Sequence, residues 1–131
     1  MLETPAGRLG VLIGSDGWYP SNYKRLAEQD AQLIANPAFV DGKGSWTSPW
    51  RGNRHQPLAA ELGFKPGEIS EDQAWYRLSD RGVPSGVASM SVFLRGQFWD
   101  LGTAGHSFLS SNGQHFAGGN VRGARLLNIW L

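Results

Sequence analysis

The sequence predicts an α/β fold, with a mixed sheet and helices packed on one face of that sheet. The hydrophobic pattern of the first forty residues alternates strand, helix and strand, which favours a parallel crossover unit. A capping signature near residue 70 predicts a second helix. From Val83 onward the chain becomes β-rich and contains Asn112-Gly113, a strong hairpin signal. The length of 131 residues fits a single domain over residues 1–131.

The crossover unit is predicted from three short segments. Residues 8–13 (RLGVLI) form an apolar run that ends next to a glycine, as a buried strand does. Pro20 marks a helix start, because proline is favoured in the first turn of a helix. Residues 33–35 (LIA) predict the second strand, which Asn36-Pro37 is expected to close.

The middle of the chain predicts a long loop and then a helix. Residues 41–57 are polar and rich in glycine and proline, which is typical of a loop. A loop of this length inside a compact domain is usually functional or disordered. Ser70 is followed three residues later by Gln73, the spacing of a capping box. A helix is therefore expected from residue 70 to about residue 78.

The last third of the chain predicts an antiparallel region. The Asn-Gly turn separates two runs of β-forming residues, so a hairpin is expected around it. The predicted strands of this region cover residues 87–94, 106–110, 114–117 and 125–131.

Composition excludes several classes of function. A net charge of +1 provides no electrostatic footprint for nucleic acid. No apolar run is long enough to predict a membrane span, and the first residues do not resemble a signal peptide.

The chain has no cysteine, so disulfides and thiolate metal sites are excluded. His55, His106 and His115 lack the helical spacing of a zinc site. We expect a cytoplasmic protein that uses no metal and no cofactor.

Three ordered segments resemble the carbon–nitrogen hydrolase (nitrilase) superfamily. They are GRLGVLIGSDGWYP at residues 7–20, AQLIANPAF at residues 31–39 and GHSFLSSNGQHFA at residues 105–117. In that family the first segment is a strand that ends at a catalytic cysteine and leads through an aromatic-proline pair into a helix. Asp16 and Tyr19-Pro20 match this pattern, whereas Gly14 stands at the cysteine position.

The resemblance implies a fold, an activity and a defect. Family members are α-β-β-α sandwiches about twice this length that hydrolyse nitriles, amides or carbamoyl groups with a Glu, Lys and Cys triad. This chain resembles their C-terminal half, so its sheet would be half of such a sandwich. The Glu and Lys would lie upstream of residue 8, and Met1 resembles a start placed inside the domain. The backbone N–H of Ser15 is similar to the family's oxyanion donor.

The resemblance also leaves the roles of several side chains open. Ser15 as a substitute nucleophile is disfavoured, because Gly-Ser-Asp-Gly does not match the motif of serine hydrolases. Asp16 is expected to have a structural role rather than a catalytic one. Trp18 and Trp99 are the candidate substrate-binding residues, since they lie at the strand end or in a loop. Trp75 is expected in the core.

Three functional hypotheses remain open from the sequence. The first is an inactive hydrolase half whose complete family fold would bind a small-molecule amide or nitrile. The second is a non-catalytic binding or partner subunit, which self-associates or pairs with a missing N-terminal half. The third is an unrelated small ligand-binding α/β domain that uses its tryptophan-rich loop.

Overall fold

The computed structural model describes residues 1–44, 46–52, 60–96, 99–118 and 128. The elements in chain order are β1 (Leu2–Thr4), β2 (Gly7–Val11), α1 (Pro20–Ala27), β3 (Leu33–Ala38), α2 (Glu71–Gly82), β4 (Ala88–Phe93), β5 (Phe108–Ser111) and β6 (Gln114–Ala117). Two short 3₁₀ turns cover Gly14–Trp18 and Ala60–Leu62. The α/β class is therefore confirmed.

The strands form one mixed sheet of six, in the order of the sequence from β1 to β6. The pairs β2–β3 and β3–β4 are parallel, and the other neighbours are antiparallel. Each parallel pair needs a crossover, which α1 supplies for the first pair and α2 for the second. The predicted strand–helix–strand unit and the Asn-Gly hairpin are both confirmed.

Side chains alternate between the two faces of the sheet, and both helices lie against the same face. On β3, Ile34, Asn36 and Ala38 are buried on this covered face. Ile34 packs in one apolar cluster with Tyr23 of α1. Ala38 belongs to a second, larger cluster with Trp75 of α2. The register then assigns Leu33, Ala35 and Pro37 to the other side, which we call the open face.

Several element bounds differ from the sequence prediction. The first predicted strand, over residues 8–13, corresponds to β2 and ends at Val11, although Leu12 N–H still donates to Ala35 O at 2.9 Å. Asn36-Pro37 does not close β3, because the fixed φ of proline suits extended backbone and Pro37 pairs in register with Val92. Strand β5 begins at Phe108 rather than His106. The predicted strand over residues 125–131 lies outside the described residues.

Helix α2 ends at Gly82, four residues after the predicted end at residue 78, and its buried positions continue past Leu78 to Ser79 and Gly82. Its start matches the capping signature, since Ser70 N–H donates to Gln73 Oε1 at 3.2 Å. Strand β1 was not predicted; it pairs with β2 through the turn around Pro5. Within the described ranges, neither helix has the length and apolar character needed to cross a membrane.

Candidate functional site

The candidate site is the turn that follows β2, at the carboxyl end of a parallel strand. The chain leaves Val11 in an extended conformation and reverses direction at Gly14, whose φ is +55°. This left-handed value favours glycine, because it costs an L-residue steric strain. The 3₁₀ turn Gly14–Trp18 and then α1 follow directly. The strand–turn–helix layout expected from the sequence is therefore present.

Gly14 borders open space on the side where a side chain would project. A Cβ placed on it meets no heavy atom within 4 Å. The turn can therefore accommodate a side chain sterically, at the cost of the left-handed backbone. As the sequence stands, the position presents no reactive atom.

Side chains from two other elements hold the turn in place. Asn36 Nδ2 of β3 donates to Gly14 O at 3.2 Å, and Tyr23 OH of α1 donates to Gly17 O at 3.0 Å. Asn36 and Tyr23 are both fully buried. Gly17 lies so close to them that an added Cβ would be 2.0 Å from Asn36 Nδ2. Strand β3 and helix α1 therefore both hold the turn in place through side-chain hydrogen bonds.

Asp16 closes the turn through local hydrogen bonds. Its carboxylate Oδ2 accepts from Ile13 N–H at 3.3 Å, and its own N–H donates to Ile13 O at 3.2 Å. Asn22 Nδ2 donates to the Asp16 carbonyl at 3.0 Å. These contacts agree with the structural role expected for Asp16. Asp16 N–H donates the first backbone hydrogen bond of the 3₁₀ turn. The N–H groups of Gly14 and Ser15 therefore precede the hydrogen-bonded part of the turn.

A carboxylate from a distant segment caps the start of α1. Glu61 accepts from Ser21 N–H at 3.1 Å and from Ser21 Oγ at 3.0 Å. An anion at a helix N-terminus is favourable because it meets both free N–H groups and the positive end of the helix dipole. Arg81 of α2 holds this segment by donating to Leu62 O at 2.9 Å. The two helices and the turn therefore form one connected unit.

Trp18 is the central member of an aromatic cluster. It packs edge-to-face against Trp50 at 5.3 Å and against Trp75 at 5.6 Å between ring centroids. Trp75 in turn packs against Phe93 of β4 at 4.9 Å. Trp75 is in the core as expected. Trp46, from the predicted loop, is likewise buried in this cluster.

The structure separates the two candidate substrate-binding tryptophans. Trp18 is 8% exposed, within the core, whereas Trp99 is 80% exposed. Among the described residues, the buried indole nitrogens of Trp18 and Trp50 have no hydrogen-bond partner. Substrate contact by Trp18 or Trp99 stays a prediction. The packing role of Trp18 was missed because a strand-end position suggested access from solvent.

A second polar cluster connects α2 to the hairpin. His115 Nδ1 of β6 lies 2.7 Å from Asp80 Oδ2, and Ser110 Oγ of β5 donates to Asp80 Oδ1 at 3.3 Å. The ring of Tyr76 stacks on His115 with centroids 4.2 Å apart. Asp80 is 35 residues from His115 in sequence, so no local pattern could have joined them. The sequence alone indicates only a surface or turn role for His115.

Burial shifts the pKa values of several groups near the aromatic cluster, among them Glu71 and His106. Burial raises the pKa of Glu71, although its carboxylate accepts from Trp75 Nε1 at 2.9 Å. Burial and then the positive charge of Arg95 lower the pKa of His106, whose ring lies 5.8 Å from Trp46. His55 lies outside the described residues. In the described part of the chain, no group of three or more His, Cys, Asp or Glu side chains could hold a metal ion.

Comparison with known proteins adds no relative to these observations: no model of a known protein family matches the chain, and the curated proteins contain no significant match.

Proposed function

We propose that this chain is a catalytically silent, hydrolase-like half-domain, related to the C-terminal half of carbon–nitrogen hydrolases. The observation that carries the proposal is Gly14, a glycine with φ of +55° at the strand-to-helix turn where the resemblance requires a cysteine. The surrounding Asp16 and Tyr19-Pro20 retain the matching motif. The helices on a single face of the sheet fit one half of an α-β-β-α sandwich.

The proposed loss of activity follows from the chemistry of amide and nitrile hydrolysis. A thiolate must attack the carbon of the substrate and later be released by water, with a base and an acid to transfer protons. Gly14 has only hydrogen on its α-carbon besides the backbone, so no covalent intermediate can form there. The Ser15 N–H can still donate a hydrogen bond to an oxyanion. Without a nucleophile, however, such a donor can bind a ligand but cannot convert it to product.

An assay of ammonia release tests the proposed absence of catalytic activity. The purified chain, incubated with simple aliphatic and aromatic amides and nitriles, is expected to release no ammonia above a heat-denatured control. Turnover that survives purification would contradict the proposal. Its loss in Ser15→Ala would then identify Ser15 as the nucleophile.

Thiol labelling of Gly14→Cys tests whether the turn is an ancestral nucleophile position. The chain has no other cysteine, so the reaction with iodoacetamide reports on this site alone. The N–H groups at the start of the turn are expected to lower the thiol pKa by about one unit. Because nucleophilicity falls with pKa, the net gain in rate at pH 7 is about threefold over Gln29→Cys, an exposed control. Equal rates would remove the chemical support for the assignment.

A non-catalytic partner subunit is the second candidate function. It is favoured by the open face of the sheet, whose described strand positions are uncharged and which no described helix covers. The parallel strands β2, β3 and β4 lie at the middle of this mixed sheet, and parallel strands are normally covered on both faces.

A further inference from the structure

The hairpin of β5 and β6 closes through a turn of only two residues, Asn112 and Gly113, between the paired residues Ser111 and Gln114. The φ of Asn112 is 51° and that of Gly113 is 73°. Glycine adopts this left-handed conformation without strain, whereas asparagine tolerates it at a steric cost. Both turn residues are exposed. Water therefore reaches the turn, and opening of the turn relieves the backbone of Asn112.

The sequence places a reactive pair of groups in this turn. The side-chain amide of an asparagine can be attacked by the backbone nitrogen of the residue that follows it. Glycine hinders this attack least, because it has no Cβ beside the attacking nitrogen. Asn112 is the only asparagine of the sequence that is followed by glycine, whereas Asn22 precedes a tyrosine and Asn128 an isoleucine. The most reactive position is therefore also an exposed one.

The structure holds this turn only weakly. Asn112 Oδ1 accepts from Gly86 N–H at 3.4 Å and from Ser85 Oγ at 3.5 Å, which is longer than most hydrogen bonds in proteins. Strand β6 is the last strand of the described sheet, and all four of its residues are exposed. A segment of this kind opens locally at a lower free-energy cost than the whole domain. The backbone of Asn112 can therefore leave the turn conformation and bring its amide carbon to the next nitrogen.

We propose that Asn112 is a site of self-modification whose isoaspartate product releases β6 from the sheet. The Gly113 nitrogen loses its proton and attacks Cγ of Asn112, which closes a five-membered succinimide ring. The side-chain nitrogen leaves with that proton as ammonia. Water then opens the ring at either carbonyl and gives aspartate or isoaspartate. Water is the only co-reactant, and nothing is oxidised or reduced. The proposal is independent of the proposed function, because the amide that reacts belongs to the chain itself.

The two products differ in their effect on the hairpin. Aspartate keeps the length of the main chain, and its carboxylate can accept from Gly86 N–H as the amide oxygen does. In isoaspartate the main chain runs through Cβ and Cγ, which adds one atom between Ser111 and Gln114. A two-residue turn fixes the register of its strands, so this register is lost. Strand β6 also carries His115, whose Nδ1 lies 2.7 Å from Asp80 Oδ2 of α2. Isoaspartate therefore separates β6 from both β5 and α2.

Peptide mapping by mass spectrometry tests the chemistry. The full chain is incubated for several days at about pH 8 and compared with a fresh sample. The Asn112 peptide should gain about 1 Da and contain both aspartate and isoaspartate, which fragmentation distinguishes. Asn22 and Asn128 are internal controls and should react about tenfold more slowly, because a larger residue follows each of them. The rate should rise with pH, since the attacking nitrogen must lose its proton.

Asn112→Gly removes the amide and suits the left-handed turn, so its turn peptide should gain no mass. An Asn112 peptide that stays unchanged, or that reacts no faster than the Asn22 peptide, overturns the proposal. Formation of aspartate without isoaspartate also overturns it, because the succinimide opens at both carbonyls.

Hydrogen exchange tests the release of β6. The modified chain carries one more negative charge and is separated from its parent by ion exchange. In the isoaspartate form, the amides of β6 should exchange about tenfold faster than in the parent. Asn112→Asp has the same charge on a normal main chain and should exchange like the parent. Equal exchange in the isoaspartate form and in Asn112→Asp overturns the release. Self-modification frees at most one ammonia per chain and needs no added amide or nitrile, so catalytic turnover remains distinguishable from it.

Discussion

The two faces of the sheet differ in how completely they are enclosed, because the open face buries Ala88 and Leu109 but leaves other apolar side chains exposed. The covered face packs Trp18, Trp75 and Phe93 ring against ring beneath the helices. The open face presents Val11 and Val92 with about half of each side chain exposed. Hydrophobicity does not explain this difference in enclosure, because the covered face includes the buried polar residues Asn36, Ser89 and Ser91, whereas the alternate positions on the open face are mostly apolar. The difference comes from the crossovers, which place both helices on one side.

Residues of the covered face stabilise a single chain, whereas exposed residues of the open face remain available for contact. Buried aromatic rings on the covered face contribute to the folding of a single chain. Exposed aliphatic side chains contribute little until another surface removes them from water. Substitutions on the two faces are therefore expected to affect different measurements.

The largest expected loss of folding stability comes from a substitution on the covered face. Trp75→Ala removes a buried ring that packs on two aromatic neighbours and bonds to Glu71. It should lower the free energy of unfolding by about 3–5 kcal/mol. Phe116→Ala is the matched control on the open face and should cost less than about 1 kcal/mol at low protein concentration. Urea denaturation measures both, and equal losses would show that the two faces do not differ.

The next largest effect is expected at the close approach under the candidate site. In Gly17→Ala, the new Cβ would be 2.0 Å from Asn36 Nδ2, so the turn or β3 must shift. Overpacking of this kind costs about 1–3 kcal/mol. Gly44→Ala, where an added Cβ meets nothing within 4 Å, should change stability by less than about 0.5 kcal/mol. Similar melting temperatures for the two variants would contradict the described packing of the turn.

A smaller effect is expected where α2 contacts the hairpin. Asp80→Asn weakens the contact with His115 at 2.7 Å while it keeps the size of the side chain. Both groups are partly solvated, so the loss should be about 0.5–1.5 kcal/mol. Hydrogen exchange should show faster opening of β6 than of β2. Unchanged exchange in β6 would mean that this contact does not hold the hairpin.

The smallest effect concerns the pH dependence of stability. The pKa of His106 is lowered from 6.5 by burial, so the unfolded chain binds a proton more readily than the folded one. Stability is therefore complete above pH 6.5 and falls as the pH drops towards the folded pKa. His106→Phe keeps a ring beside Trp46 and removes the titration. Its stability should decline less than that of the parent between pH 7 and pH 5, and an identical decline would exclude His106 as the cause.

The sequence predicted most of the local structure because the signals were local. Pro20 and the Ser70–Gln73 spacing mark helix starts through their own backbone geometry. Asn112 adopts a φ of 51° in the predicted hairpin turn, a conformation that asparagine tolerates. Such features depend on a few neighbouring residues and are visible in one sequence.

The contacts around the candidate site could not be predicted in the same way. Asn36 is 22 residues from Gly14, and Glu61 is 40 residues from Ser21. Trp18 and Trp50 come from distant segments and meet in the cluster that also contains Trp75 of α2. Periodicity indicates which residues are apolar, but it does not determine which face the crossovers cover. The open face therefore became recognisable only with the strand register.

Thiol labelling at two neighbouring positions tests most directly the central claim, that the two faces of the sheet differ in exposure. The chain lacks cysteine, so Val92→Cys and Phe93→Cys each report on a single site. Val92 is 48% exposed on the open face, whereas Phe93 is 3% exposed on the covered face. We predict that iodoacetamide labels Val92→Cys quickly and Phe93→Cys slowly in the folded chain, and that both react at similar rates in urea. Equal rates in the folded chain would contradict the claim.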